Sequence, residues 1–193
     1  MKIHLIRHGR TLANEQMLYC GQTDLPLLDS GAEEILQLTM QGIYPLAELF
    51  FTSGLLRAEQ TFDIIYQNAP KIAIPDMMEY NFGAFEMKSH EELNELDDYQ
   101  AWITDNSGDF ECPNGESKNQ FESRVIAGYN GILNKSLNGD TKSIVTVCHG
   151  GTISCIMEHL CPNVQNFYEW HPGSGRGYTL IYMDGKFHTY KKI

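Results

Sequence analysis

Two short, nearly unbroken apolar runs, "IHLI" at Ile3–Ile6 and "IVTV" at Ile144–Val147, constrain this chain more than any other feature. Runs without apolar–polar alternation suit strands buried on both faces, as in a parallel sheet covered by helices. Further strand candidates fall at Leu49–Thr52, Lys71–Ile74 and Tyr178–Met183. Phe187–Tyr190 follows an Asp184-Gly185 turn, so "YTLIYMDGKFHTY" reads as a hairpin.

Helical spacing fills the gaps. Ser30-Gly31-Ala32-Glu33 carries a capping-box signature ahead of "EILQLTM", which stops at Gly42. "LLRAEQTFDIIYQ" places Leu55, Ala58, Phe62 and Ile65 at helical spacing and ends before Pro70. "SHEELNELDDYQAWI" reads as one helix from a Ser89 cap, "ESKNQFESRVIAGYNGILNKSL" as a longer one, and "GGTISCIMEHL" as a short one closed by Pro162. Strands alternating with helices predict an α/β fold, a three-layer α/β/α sandwich around a mainly parallel sheet. At 193 residues the expectation is one domain over 1–193. A mostly helical insertion at about 86–137, with the polar loop "NSGDFECPNGES" in its middle, is placed to serve as a lid.

Charge narrows the function. A formal net charge of -11 argues against a non-specific nucleic-acid binder, yet it leaves room for a locally cationic pocket and an anionic small substrate. The five cysteines are odd in number and lack CxxC spacing, which points to a reducing compartment. No apolar run reaches membrane-spanning length, and the first residues read as neither a signal nor a transit peptide. A cytoplasmic protein without nucleic-acid or membrane partners is the expectation.

In an open α/β sheet, ligands sit at the carboxyl ends of parallel strands. Three cationic groups meet there by this reading. Arg7-His8-Gly9 follows the first strand, Arg57 stands just inside the helix after the second, and His149-Gly150-Gly151 follows the fourth. Arginine offers permanently charged forks to phosphate oxygens, a neutral histidine can attack phosphorus, and a second, protonated histidine can neutralise an oxygen. Helix starts at Arg57 and Gly150 add backbone N–H donors.

Other chemistries fail on spacing. A Cys-x5-Arg phosphatase motif is absent, because the sixth residue after Cys20, Cys112, Cys148 and Cys155 is Pro26, Lys118, Ser154 and Cys161. "GSGRG" lacks the Lys-Ser/Thr of a P-loop, and "HEELN" is not a zinc-binding HExxH. His4 sits mid-strand and reads as a packed residue, not as a metal partner of His8.

The segments "LIRHGRTLAN", "GQTDLPLLDSG", "FFTSGLLRAEQT", "EYNFGAFE", "NGESKNQFESRV" and "VCHGGTIS", in this order, make the chain resemble the histidine phosphatase (phosphoglycerate mutase-like) superfamily over nearly its whole length. The resemblance implies a phosphoglycerate mutase-like sandwich and an enzyme that hydrolyses phosphomonoesters without metal or other cofactor. It implies that His8 is the nucleophile and becomes transiently phosphorylated, that Arg7, Arg57 and His149 hold the transferring oxygens, and that Glu79 protonates the leaving oxygen. Asn14 and the Gly150 backbone would neighbour the phosphate, and Gln22 and Thr23 the substrate. For Glu79 to donate, its pKa must be raised by burial, and for His8 to attack, its second nitrogen should be held by a backbone carbonyl.

Within that family the short chain, without the segment that the mutases carry after the glutamate motif, and Thr11, where they usually have serine, favour hydrolysis. Mutase-type phosphoryl transfer and a non-catalytic phosphate-binding protein are the alternatives. "YCGQTDLPL" and "EYNFGAFE" look most like the small bacterial branch of α-ribazole and sugar-phosphate phosphatases. The substrate-facing shell is expected from Met17–Thr23, Trp102–Glu116 and "EWHPGSGRGY", where Arg176 reads as solvated in preference to anion-binding. Arg10 departs from the family, which has Glu or Gln there, and pairing with a surface carboxylate is its favoured reading.

Overall fold

The computed structural model describes residues 1–67, 69–137 and 141–193. Along the chain run β1 (Lys2–Arg7), α1 (Leu12–Glu15), α2 (Asp29–Met40), β2 (Leu49–Thr52), α3 (Leu56–Tyr66) and β3 (Ile72–Ala73). After 3-10 turns at Pro75–Met77 and Gly83–Phe85 come α4 (His90–Leu93), α5 (Asp97–Thr104), α6 (Lys118–Leu137), β4 (Ser143–Cys148), α7 (Gly150–Leu160), β5 (Gly177–Met183) and β6 (Lys186–Lys192). The strands order as β3-β2-β4-β1-β5-β6. β1 and β2 flank β4 in parallel, β3 joins β2 in parallel, and the β5–β6 hairpin adds an antiparallel edge. The hairpin turns through Asp184 and Gly185, both at positive φ (49° and 74°), as a two-residue primed turn demands.

Two apolar layers cover the two sheet faces. Ile3, Leu5 and Ile144 pack with Val125 and Tyr129 of α6 and Ile153 and Ile156 of α7. Ile6, Val145 and Val147 pack on the opposite side with Ile35 of α2 and Ala58 and Phe62 of α3. Neighbouring side chains of a strand point to opposite faces, so the continuous runs of β1 and β4 supply both layers at once. This is the mainly parallel three-layer arrangement. His4 is buried and shares a hydrogen bond with Thr179 Oγ1 (2.9 Å), with burial pushing its pKa down to about 4.

Register aligns the functional end. Arg7 faces Cys148 across β1–β4, and Thr52 faces Val147 across β2–β4. The next residues of the three strands, His8, His149 and Ser53, therefore emerge side by side at the carboxyl edge. The His8 N–H donates to Cys148 O (3.0 Å) and the Ser53 N–H to Val147 O (3.2 Å).

Three sequence expectations need correction. Ser30 caps nothing: α2 begins at Asp29 with Leu28 before it, because Leu28 N–H donates to Arg10 O (2.9 Å) and the backbone of Gly31 lies against the same carbonyl. Glu33 accordingly accepts from Gln37 Nε2 (2.6 Å). The Ser89 segment forms two helices: the capping box holds only the turn His90–Leu93. The side chain of Gln100 then bonds Asn94 O (2.6 Å) and Oδ1 (3.1 Å), securing the break, while Asp97 and Asp98 favour a fresh N-terminus. The third strand shrinks to Ile72–Ala73, paired on one side by β2.

Candidate active site

His8 is 5% exposed, and its Nδ1 lies 2.7 Å from the Gly9 carbonyl oxygen. A carbonyl only accepts, so Nδ1 carries the proton and Nε2 keeps its lone pair. Arg57 Nε donates to that Nε2 at 3.3 Å. Burial, together with Arg57 and Arg7, holds the His8 pKa well below its ordinary value, opposed by the Gly9 bond. The ring is thus held neutral, with its unprotonated Nε2 facing Arg57. Gly9 itself has a packing role: a Cβ there would come within 2.8 Å of Ile35 Cγ1 of α2.

Arg57, 1% exposed at the start of α3, is held by the loop before α2. Its Nη1 donates to Thr23 O (3.0 Å) and its Nη2 to Gly21 O (2.5 Å). Glu86 fixes that loop by accepting from the N–H groups of Gly21 (3.0 Å), Gln22 (2.9 Å) and Thr23 (3.3 Å). Gln22 and Thr23 therefore serve the site through their backbones, and neither lines the cleft beside His8. Glu86 was missed by sequence reasoning, although it sits in the quoted "EYNFGAFE".

Arg7 and His149 complete the cationic end. Arg7 Nη1 donates to Pro172 O (2.7 Å) and faces His171 Nδ1 (3.4 Å), while its buried Nε has no partner. His149 is fully buried, shares a hydrogen bond between Nε2 and Ser53 Oγ (2.8 Å), and leaves Nδ1 without one. Buried polar atoms are nearly always satisfied, so two such orphans near His8 stand out; Arg7 lines the cleft with His8 and Arg57, whereas His149 lies behind its lining. The Arg7 Nε can only donate, which fits an anion. The His8 and His149 rings meet edge-on with centroids 5.1 Å apart. Burial and the charges of Arg57, His8 and Arg7 push the His149 pKa well below its ordinary value, which opposes the imidazolium expected from sequence.

Glu79 lines the same cleft. Its carboxylate accepts from Gly151 N–H (2.7 Å) and Tyr80 N–H (3.0 Å), and burial raises its pKa against those bonds and the pull of Arg57 and Arg7. A Cβ on Gly151 would stand 2.5 Å from Glu79 Oε1, so the contact needs a glycine. Arg124 braces the segment, donating to Met78 O (3.0 Å) and Glu79 O (3.2 Å) while pairing with Glu116 (2.7 Å). Asn14 lines the cleft; its Oδ1 accepts from Thr11 N–H (3.0 Å) and Oγ1 (3.1 Å), which leaves the amide NH2 for a ligand. Gly150 lines it too, at the first position of α7, where a backbone N–H has no intrahelical partner.

The cleft of about 1100 Å³ runs from these groups to an aromatic wall of Tyr19, Phe82, Trp102, Phe121, Phe167 and Tyr168. Glu122 and Glu158 also line it, and Glu158 lies about 12 Å along α7 from Gly150 at 1.5 Å per residue. Arg176 does not line the cleft, and Arg10 pairs with Glu34 at 3.0 Å. Besides Glu86, the structure adds Ser53 and Thr61, whose Oγ1 accepts from Gly9 N–H (2.9 Å), and His171. The only sequence signal for them was membership of quoted motifs or, for His171, of the expected shell. Among the described residues no group of three or more His, Cys, Asp or Glu side chains could hold a metal ion, and no helix is long and apolar enough to cross a membrane.

Comparison with known proteins gives the family and the fold. A family model described as the histidine phosphatase superfamily (branch 1) matches residues 3–191. The chain is 30% identical over 200 residues to the adenosylcobalamin/alpha-ribazole phosphatase of Escherichia coli K12, covering 100% of this chain and 95% of that protein. It is 26% identical over 163 residues to a probable phosphoglycerate mutase GpmB of Cronobacter sakazakii, covering 83% and 74%. Among solved structures, a putative alpha-ribazole-5'-P phosphatase from Escherichia coli superposes with a TM-score of 0.84 at 27% identity over 99% of this chain and 94% of that one. A phosphoglycerate mutase from Thermus thermophilus gives 0.72 at 26% identity, covering 98% of each chain.

Proposed function

Since the chain belongs to the histidine phosphatase superfamily, we propose that it hydrolyses small phosphomonoesters through a phosphohistidine on His8, with no metal ion. The observation that carries this reading is the His8 ring, with its proton committed to the Gly9 carbonyl and its Nε2 lone pair beside Arg57. In the first step Nε2 forms an N–P bond as the ester P–O bond breaks, and the Glu79 carboxyl gives its proton to the leaving oxygen. In the second, water attacks phosphorus, Glu79 takes a proton from that water, and the N–P bond electrons return to Nε2. Arg7, Arg57, His149 and the Gly150 N–H meet the equatorial oxygens, which is where a loose phosphoryl transition state gains most from fixed charge.

The aromatic wall supports a leaving group with a flat ring, as the alpha-ribazole phosphatase names of relatives suggest. The similarity to probable phosphoglycerate mutases keeps transfer to a second substrate as the competing reading. Glu122 and Glu158 make the part of the cleft they line acidic, which favours a leaving group that carries no further anionic group there. Burial and Glu122 raise the Glu158 pKa, a sign that the two repel. Five unpaired cysteines support a reducing, cytoplasmic setting, and the 86–137 segment, which supplies Trp102 and Phe121 to the wall, supports its reading as a substrate-covering insertion.

Purified protein should release phosphate from p-nitrophenyl phosphate in the presence of EDTA, and His8→Ala should abolish it. Activity that survives the substitution removes His8 as nucleophile, and a strict need for Mg²⁺ removes the metal-free mechanism. Phosphoryl transfer from 2,3-bisphosphoglycerate to monophosphoglycerate exceeding hydrolysis would establish the mutase reading instead. A panel of phosphomonoesters ranked by kcat/KM tests the substrate: a flat profile contradicts the preference for α-ribazole phosphate.

A further inference from the structure

His171 stands in the loop between α7 and β5 and lines the cleft. The loop is stitched to Arg7 at several points. Pro172 O accepts from Arg7 Nη1 (2.7 Å), Gly175 N–H donates to Arg7 O (3.1 Å), and Arg7 N–H donates to Arg176 O (2.8 Å). The His171 ring lies between that guanidinium and the start of α7. Its Nδ1 is 3.4 Å from Arg7 Nη1, and its Nε2 would be 2.1 Å from a Cβ on Gly150, contact that only a glycine permits.

The two contacts define its protonation. A guanidinium only donates, so Nδ1 must be unprotonated, and the proton of the neutral ring sits on Nε2. That N–H stands beside Gly150, whose own N–H is free at the first position of α7. We infer that His171 is a positioning residue for Arg7 and that its Nε2–H is a further donor at the anion end of the cleft, an inference that rests on the phosphatase reading. Burial and the neighbouring Arg7 charge take its pKa down to about 4, so the ring is neutral where the nucleophile works. At 3.4 Å the contact is long for a hydrogen bond.

Two variants separate the roles. His171→Phe keeps the bulk and removes both acceptor and donor; His171→Asn can present Oδ1 near the Nδ1 position and so keeps the support of Arg7. Each is measured for kcat and KM on p-nitrophenyl phosphate and, independently of turnover, for the Kd of inorganic phosphate by calorimetry. His171→Phe should lower kcat and raise the phosphate Kd, each about tenfold, the scale of one hydrogen bond to a charged group. His171→Asn should recover most of kcat while the phosphate Kd and KM stay raised. His171→Phe within twofold of wild type in both quantities, or His171→Asn no better than His171→Phe, overturns the inference. If His171→Phe unfolds, His171→Asn alone decides, by retaining kcat with a raised phosphate Kd or failing to. A wild-type protein that neither binds phosphate nor hydrolyses the ester overturns the phosphatase reading and this one together, whereas active wild type with silent variants overturns this one alone.

Discussion

The two ends of the cleft are built differently. At the anion end, His8, Arg57 and His149 are almost completely buried, and their hydrogen bonds run to backbone carbonyls, to Ser53 or, from Arg57 to His8, to one another. At the other end the wall is aromatic, and Tyr168 is 84% exposed. The first end is rigid and specific for a charge distribution; the second offers area. On the proposed function, chemistry belongs to the end where a small displacement changes everything, and substrate choice to the end that tolerates substitution.

If that contrast holds, removing a cation at the anion end costs most. Arg57→Ala should lower kcat by about 10²- to 10³-fold, as does losing one preorganised donor in other phosphoryl and acyl transfers. A loss of less than tenfold would mean that Arg57 only supports the loop at Gly21–Thr23.

Glu79→Gln comes next and should act according to the leaving group. With an alkyl phosphate kcat should fall about 10²-fold, and with p-nitrophenyl phosphate, whose leaving oxygen needs little protonation, much less. The pH profile carries the sign. The Glu79 pKa is raised above its ordinary 4.5, so the donor proton survives to higher pH and its loss sets the alkaline limb. The His8 pKa is lowered, so the neutral nucleophile survives to lower pH and its protonation sets the acid limb well below 6.5. Glu79→Gln should erase the alkaline limb and keep the acid one; an unchanged profile assigns the proton donor elsewhere.

At the open end Tyr168→Ala should raise KM several-fold for an aromatic phosphate ester, the scale of one aromatic contact, and leave glycerol phosphate unaffected. Equal effects on both would deny the aromatic wall its part in selection. The smallest change is expected at Arg10, half-exposed and paired with Glu34. Arg10→Glu should leave kcat/KM and its salt dependence within twofold of wild type, since an exposed pair contributes little; a larger, salt-dependent loss would make Arg10 a steering charge.

The same contrast explains what could be read from sequence. The anion end consists of strand ends and helix starts, so "RHG", "LLRAEQT" and "CHGG" announce it locally, and parallel register then brings His8 and His149 together. The alternation of buried strands and helices carried the layers and the closing hairpin for the same reason. What supports the site comes from contacts distant in sequence. Glu86 acts on a loop some 64 positions away, Ser53 on His149 96 positions away, and His171 on Arg7 164 positions away. No local pattern marks such partners. The false cap at Ser30 has the same origin, because the Arg10 carbonyl, and not a side chain of the helix, sets where α2 begins.

The central claim is that His8 Nε2 carries the phosphoryl group. The most direct measurement is a rapid quench at alkaline pH, where phosphohistidine persists, during turnover of p-nitrophenyl phosphate, followed by mass mapping of the peptide that holds "LIRHGR". The account predicts a phosphate adduct on His8 that forms and decays at rates consistent with kcat and that is absent from His8→Ala. An adduct on another residue, or full turnover with His8 replaced, would contradict it.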